Sequence, residues 1–233
     1  ADPSPPLLTY FLPFAISFIF VLGIFTSAGY LIQAVVDEKE NRTMEIMVSS
    51  MTPLQLVSGK IIGLTGVGLV QIGIWSGLLL LGIHLVLLTI PDAPSLTIPP
   101  LMGLIIVGWF LPFYLLTATL MVGIGLSVTN MGEAQHGVSV LTMLTLLPTY
   151  LAMLVVIHPN SSMAVLFTLF PFSSPVTLLV RSQITTIPLI QYLGSWLLLI
   201  ATLLLAVWLV SRLLHHGLLR YQQRLKWRSL LSK

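Results

Sequence analysis

Residues 36–60 read VDEKENRTMEIMVSSMTPLQLVSGK and hold four of the chain's seven acids, Asp37, Glu38, Glu40 and Glu45, interleaved with Lys39, Arg42 and Lys60. Charges so mixed do their chemistry by pairing. Glu38 and Arg42 stand at i, i+4, a spacing that supports a surface helix by about 0.3–0.5 kcal/mol. Met44, Met47, Val48 and Met51 fall at i, i+3, i+4 and i+7, one face of a short helix. A methionine face is adaptable: it docks into a groove on another protein, or it packs on lipid or on the chain's own helices.

Other chemistry is excluded by type and spacing. Ser58-Gly59-Lys60 is followed by Ile61 and lacks the upstream glycine of a phosphate-cradling loop. Neither H-E-x-x-H nor G-x-S-x-G occurs, and with no cysteine there is no thiolate ligand or nucleophile. His84, His136 and His158 are scattered, and His215-His216 neighbour each other without a matching ligand set. The expectation is a chain that is not an enzyme, holds no metal or cofactor of its own and binds no nucleic acid.

The elements that position the charged segment follow from hydropathy. The 233 residues are 56% hydrophobic and 7% charged, with mean hydropathy +1.01, against roughly 25% charge in a soluble domain. Such a surface needs lipid for solvent. The apolar runs are long and do not alternate, which favours helices over a membrane barrel. The fold class expected is all-α: a polytopic integral membrane protein with about five transmembrane helices, a short re-entrant helix pair and a cytoplasmic coupling helix. The spans are placed at about 10–35, 61–88, 101–128, 138–157 and 190–211, all within a single domain of residues 1–220. Between the last two, residues 160–181 are broken by Pro171 and by Ser173-Ser174-Pro175 into halves too short to cross.

Basic residues orient this array. With five spans, Lys39, Arg42, Lys60, Arg212, Arg220, Arg224, Lys226, Arg228 and Lys233 share one side and only Arg181 falls on the other. The first side is then cytoplasmic, with the C-terminus inside and the N-terminus outside. An outside N-terminus without a signal peptide points to a preceding span. Residues 212–233 form a basic cytoplasmic tail, which anchors the last span or lies as a helix on the inner leaflet. Within residues 37–60, Thr52-Pro53 caps and starts a helix that runs through Lys60 into the second span. A connection this long exceeds the 2–8 residues that joining two helices typically needs. Gln71 is the most polar group deep in a span, placed to line a translocation path or to hydrogen-bond a neighbouring helix. Gly59/Gly63 and Gly73/Gly77 have the spacing of close helix approach, and Glu133 is expected in the second cytoplasmic loop.

The run EKENRTMEIMVSSMTPLQLVSGKIIG resembles the first cytoplasmic loop of type-two ABC exporter permeases, especially the sodium-export (NatB-like) branch. The match rests on Glu38, Lys39, Glu40, Asn41, Arg42, Glu45, Ser49, Ser50, Gly59 and Lys60, and LFPFSSPVTLLVR resembles the paired outer half-helices before the last span. Relative to that family the usual first span and extracytoplasmic domain are missing, and either a removed segment or another chain supplies them. The resemblance implies a second permease half, identical or not, and two ATPase subunits that carry ATP and magnesium. It makes Glu38, Glu40, Arg42, Met44, Glu45, Met47 and Met51 the ATPase-coupling residues, and it places the protein in a bacterial or archaeal plasma membrane. Its branch implies sodium as cargo, while the apolar spans suit lipid-linked, amphipathic or drug-like cargo. The competing expectation is a non-transporting membrane scaffold within a larger complex.

Overall fold

The computed structural model of the protein describes residues 7–40, 53–88, 104–128 and 130–217. Described elements are helices: α1 (Leu7–Glu40), α2 (Pro53–Leu88), a wide turn (Ile106–Phe110) running into α3 (Leu111–Ser127), α4 (Met131–Ile157), the short pair α5 (Ser162–Leu169) and α6 (Ser174–Ser182), and α7 (Leu189–Gly217). Among the described residues, three stretches are long and apolar enough to cross a bilayer: Phe14–Asp37, Val107–Ser127 and Leu189–Leu213. This is a polytopic helical membrane protein.

Helix limits follow local chemistry. Ser161 caps α5 by accepting the Ala164 N–H at 3.2 Å. Pro171 then forces Phe170 out of the helix to an extended ψ of 120°. Pro175 opens α6 in the first turn, where its missing N–H costs nothing. Asn130 Oδ1 accepts the Glu133 N–H at 2.9 Å, and the Ala134 N–H donates to the Asn130 carbonyl at 3.1 Å. These bonds close the first turn of α4 well before residue 138. Glu133 therefore sits on a helix rather than in a loop, where its negative charge suits the helix dipole. Helix α1 continues past its apolar span to Glu40.

The wide turn before α3 has an identifiable cause. Pro112 lacks an N–H and its ring crowds the carbonyl four residues back, that of Gly108. That carbonyl instead accepts the Trp196 indole N–H from α7 at 3.2 Å. One residue on, Trp109 Nε1 donates to Ser195 Oγ at 3.0 Å and the Trp109 ring meets Tyr192 edge-on at 5.9 Å. Two indoles thus zip α3 to α7.

Helix α3 is the centre of the bundle, with α1 and α7 on its flanks, α2 outside α1, and α6 inserted against α1 and α4. Phe113, Tyr114, Leu116, Met121 and Val122 of α3 are buried. Small residues set the approach of its neighbours. A Cβ on Gly125 would lie 3.0 Å from Val35 of α1, one on Gly123 would lie 2.7 Å from Val210 of α7, and one on Gly137 of α4 would lie 2.7 Å from Ile124. These contacts bring the ends of α1, α3 and α7 and the start of α4 together. One end of the bundle thus gathers Asp37, Glu133 and Arg212.

Candidate functional site

Of the residues assigned to ATPase coupling, Glu38 and Glu40 lie on the last turn of α1, while Arg42, Met44, Glu45, Met47 and Met51 fall outside the described residues. The structure adds what carries them. Helix α1 is continuous from the span Phe14–Asp37 into the acidic turn, without a break. Its core-facing residues Val35 and Val36 are buried, and Asp37 is exposed. A charged end and a membrane span are therefore parts of one rod.

Gln71 is half-buried on α2. Helix α2 packs on α1, α3 and the edge of α7, whereas α4 packs on α1, α3, α5 and α6, so the two are not primary neighbours. The spaced glycines Gly59, Gly63, Gly73 and Gly77 have nothing within 4 Å of a placed Cβ, so they mediate no close approach among the described residues. Gly68 does: its Cβ would meet Tyr114 Oη at 2.5 Å and Ser27 Oγ at 2.6 Å. Those two hydroxyls share a buried hydrogen bond of 2.7 Å between α1 and α3. The glycine repeat lies off the packed face; the single glycine at the crossing has no repeat to mark it.

On α4, Gln135, Ser139, Thr142 and Tyr150 recur along one face and line an open groove with Val138, Met143 and Leu146. Gln135, Ser139 and Tyr150 are exposed. Ser139 and Thr142 turn their hydroxyl hydrogens back to the Gln135 and Val138 carbonyls at 2.8 Å, which leaves oxygen lone pairs on the groove. The groove is mostly apolar, with a few amide and hydroxyl groups that can accept or donate to a partner.

Arg181 is the residue whose role sequence reasoning missed. It reads as the lone basic residue of an outer loop, yet its relative exposure is 1%. From α6 it donates Nε–H to the Pro159 carbonyl at 2.8 Å, and Nη1 donates to Thr168 Oγ1 at 2.6 Å and Gln191 Oε1 at 2.9 Å. The Thr168 hydroxyl in turn donates a hydrogen bond to the Ala164 carbonyl at 2.7 Å. One guanidinium therefore ties the α4–α5 connection, α5, α6 and the start of α7. Burial lowers its pKa from the ordinary arginine value, and nearby Tyr192 opposes that shift. All three acceptors are neutral, so the arrangement is a structural clasp rather than an ion pair. The only available sequence signal was an arginine directly following the apolar run Leu178-Leu179-Val180, which are buried with it.

No group of three or more metal-ligating side chains occurs among the described residues, and His84, His136 and His158 are all exposed.

Comparison with known proteins completes the picture. The family model described as ABC-2 family transporter protein matches residues 5–212. The chain is similar to the protein MJ1024 of Methanocaldococcus jannaschii, 26% identical over 220 residues, covering 94% of this chain and 52% of that protein. It is also similar to YhaP of Bacillus subtilis, 27% identical over 216 residues, covering 88% of this chain and 50% of that protein. The chain thus spans about half the length of the curated relatives it matches. No solved structure matches.

Proposed function

This chain belongs to the ABC-2 family of transporter proteins, and from that premise we propose that it is the membrane permease subunit of an ATP-driven exporter, powered by ATPase subunits on separate chains. The observation that carries the reading is the family match, which takes in every described helix up to residue 212. ATP and magnesium belong to the partner ATPase in this reading, and a second permease half completes the membrane assembly.

The geometry supports a route for the work. Residues 38–51 are the coupling element, with Glu40, Arg42 and Glu45 setting orientation by charge and Met44, Met47 and Met51 filling a groove on the ATPase. The element is carried by α1, which continues unbroken into its span and meets α3 where Val35 faces Gly125. A displacement of the charged end therefore moves α1 and α3 as one body, since packed interiors transmit strain rather than absorb it. In this reading the groove of α4, where Gln135 and Ser139 stand exposed among apolar side chains, lines the path of the cargo, and Gln71 contributes from α2. The sodium branch and the plasma-membrane setting with a cytoplasmic C-terminus belong to the same proposal.

The test is Met47→Asp beside Leu78→Ile, the latter on the exposed surface of α2. A charge placed in the docked face removes apolar contact and buries an unpaired ion, at a cost of about 3–5 kcal/mol. Met47→Asp should lose the ATPase on co-purification, or uncouple hydrolysis, while still inserting in the membrane. Equal retention of the ATPase and of its hydrolysis by both variants would remove the coupling role and favour a scaffold.

A further inference from the structure

Between the ends of α3 and α7 lies a cleft of about 270 Å³. Its walls are Leu120, Ile124, Ala206, Leu209, Val210 and Leu213. Gly123 sits at its base, where α7 comes so near that a Cβ would meet Val210 Cγ2 at 2.7 Å. Leu209 and Trp208, 43% and 50% exposed, form its outer lip, so it opens sideways from the bundle. Arg212 lines the mouth, with its guanidinium carbon 4.8 Å from the centre of the Trp208 ring. Both helices reach the limit of their apolar stretches here, at Ser127 and Leu213.

We propose that this cleft seats one acyl chain of an anionic phospholipid, with the lipid phosphate held over Arg212. An apolar notch opening sideways in a membrane protein is filled by hydrocarbon, because lipid restores the dispersion contacts that an empty notch forfeits. The cation at the end of the notch selects the headgroup. Arginine binds phosphate through a planar fork of donors, and the indole beneath holds that plane by cation–π contact. The level fits as well: the cleft runs along two spans and Arg212 follows where their apolar stretches stop, the depth at which an acyl chain gives way to its headgroup. Beyond it the sequence continues with Arg220, Arg224, Lys226 and Arg228, a basic segment that suits an anionic leaflet. The site concerns this chain and the bilayer, and does not depend on an ATPase partner.

The experiment uses the full chain, purified in mild detergent and stripped of lipid. It is mixed with equal amounts of phosphatidylglycerol and phosphatidylcholine of identical acyl chains and examined by native mass spectrometry. One retained lipid is expected, phosphatidylglycerol favoured by about fivefold. Arg212→Gln should keep one lipid and lose the preference. Leu209→Trp, which fills the cleft from its exposed lip, should lose the lipid while helix content and melting temperature stay unchanged. Preference surviving Arg212→Gln, or retention undiminished in Leu209→Trp, overturns the proposal. So does a ladder of adducts without preference, or a protein dimer free of lipid, which would put a second copy in the cleft.

Discussion

Helices α2 and α3 are both apolar enough that sequence alone gives them the same part, yet the fold uses them in opposite ways. On α3, ten residues from Phe113 to Gly125 are buried, and its glycines touch neighbours on two sides. On α2, Ile62, Val67, Val70, Ile74, Leu78, Leu81 and Leu85 are all more than half exposed, and among the described residues Gly68 marks a tight crossing. In lipid there is no hydrophobic penalty for exposing leucine, so apolar character does not distinguish the inside of the protein from its lipid-facing surface. What separates the two helices is polar linkage and close approach. The interior side carries Ser27–Tyr114, Trp109–Ser195 and the Arg181 clasp. The exposed side chains of α2 lie away from this packing.

The strongest way to break this contrast is at the clasp. Arg181→Met strips the buried Thr168 hydroxyl and the half-buried Pro159 and Gln191 oxygens of their donor, at about 1–3 kcal/mol for a buried one left unsatisfied. Even with relaxation the loss should reach about 3 kcal/mol and lower the melting temperature in detergent sharply. Arg181→Lys, which keeps the charge but not the fork, should recover only part of it. A clasp that can be removed with no change in melting would mean that α5 and α6 are held by packing alone.

A subtler comparison sits on α2 itself. Gly68→Leu must force apart Ser27 and Tyr114 and should cost about 1–3 kcal/mol by overpacking. At Gly73 a placed Cβ meets nothing within 4 Å among the described residues, so Gly73→Leu should be neutral or slightly stabilising in the isolated protein. If Gly73→Leu leaves the monomer intact but weakens self-association, the open surface of α2 is identified as a subunit contact, which sharpens the contrast. Equal losses of stability at the two positions would dissolve it.

The smallest expected effect tests the reason for the wide turn. Trp196→Phe removes the donor to the Gly108 carbonyl and should cost about 1 kcal/mol. In a Pro112→Ala background the new N–H can return that carbonyl to the helix ladder, so Trp196→Phe should then cost little. A double-mutant cycle measured by unfolding in denaturant reads the coupling directly. Additive losses would mean that the proline does not free the carbonyl.

The membrane class, the helical architecture and the family were legible in composition, in run length and in residues 38–60, because a bilayer imposes long apolar helices on any chain that crosses it. The break at Pro171 was legible too, since proline acts on its own backbone wherever it stands, while the cap expected at Thr52 lies outside the described residues. Burial was not. Arginine is charged wherever it occurs, so nothing local distinguishes an arginine at the end of a loop from one enclosed by Pro159, Thr168 and Gln191, residues that folding draws together from three elements. Glycine spacing could not choose the face for the same reason: Gly73 and Gly77 share a face, but only the position of α1 and α3 decides which face of α2 is pressed within this chain. The sequence by itself determined that these helices enter a membrane; the tertiary structure alone decided which of them face one another, because in lipid that choice rests on shape and on a few polar bonds between distant residues.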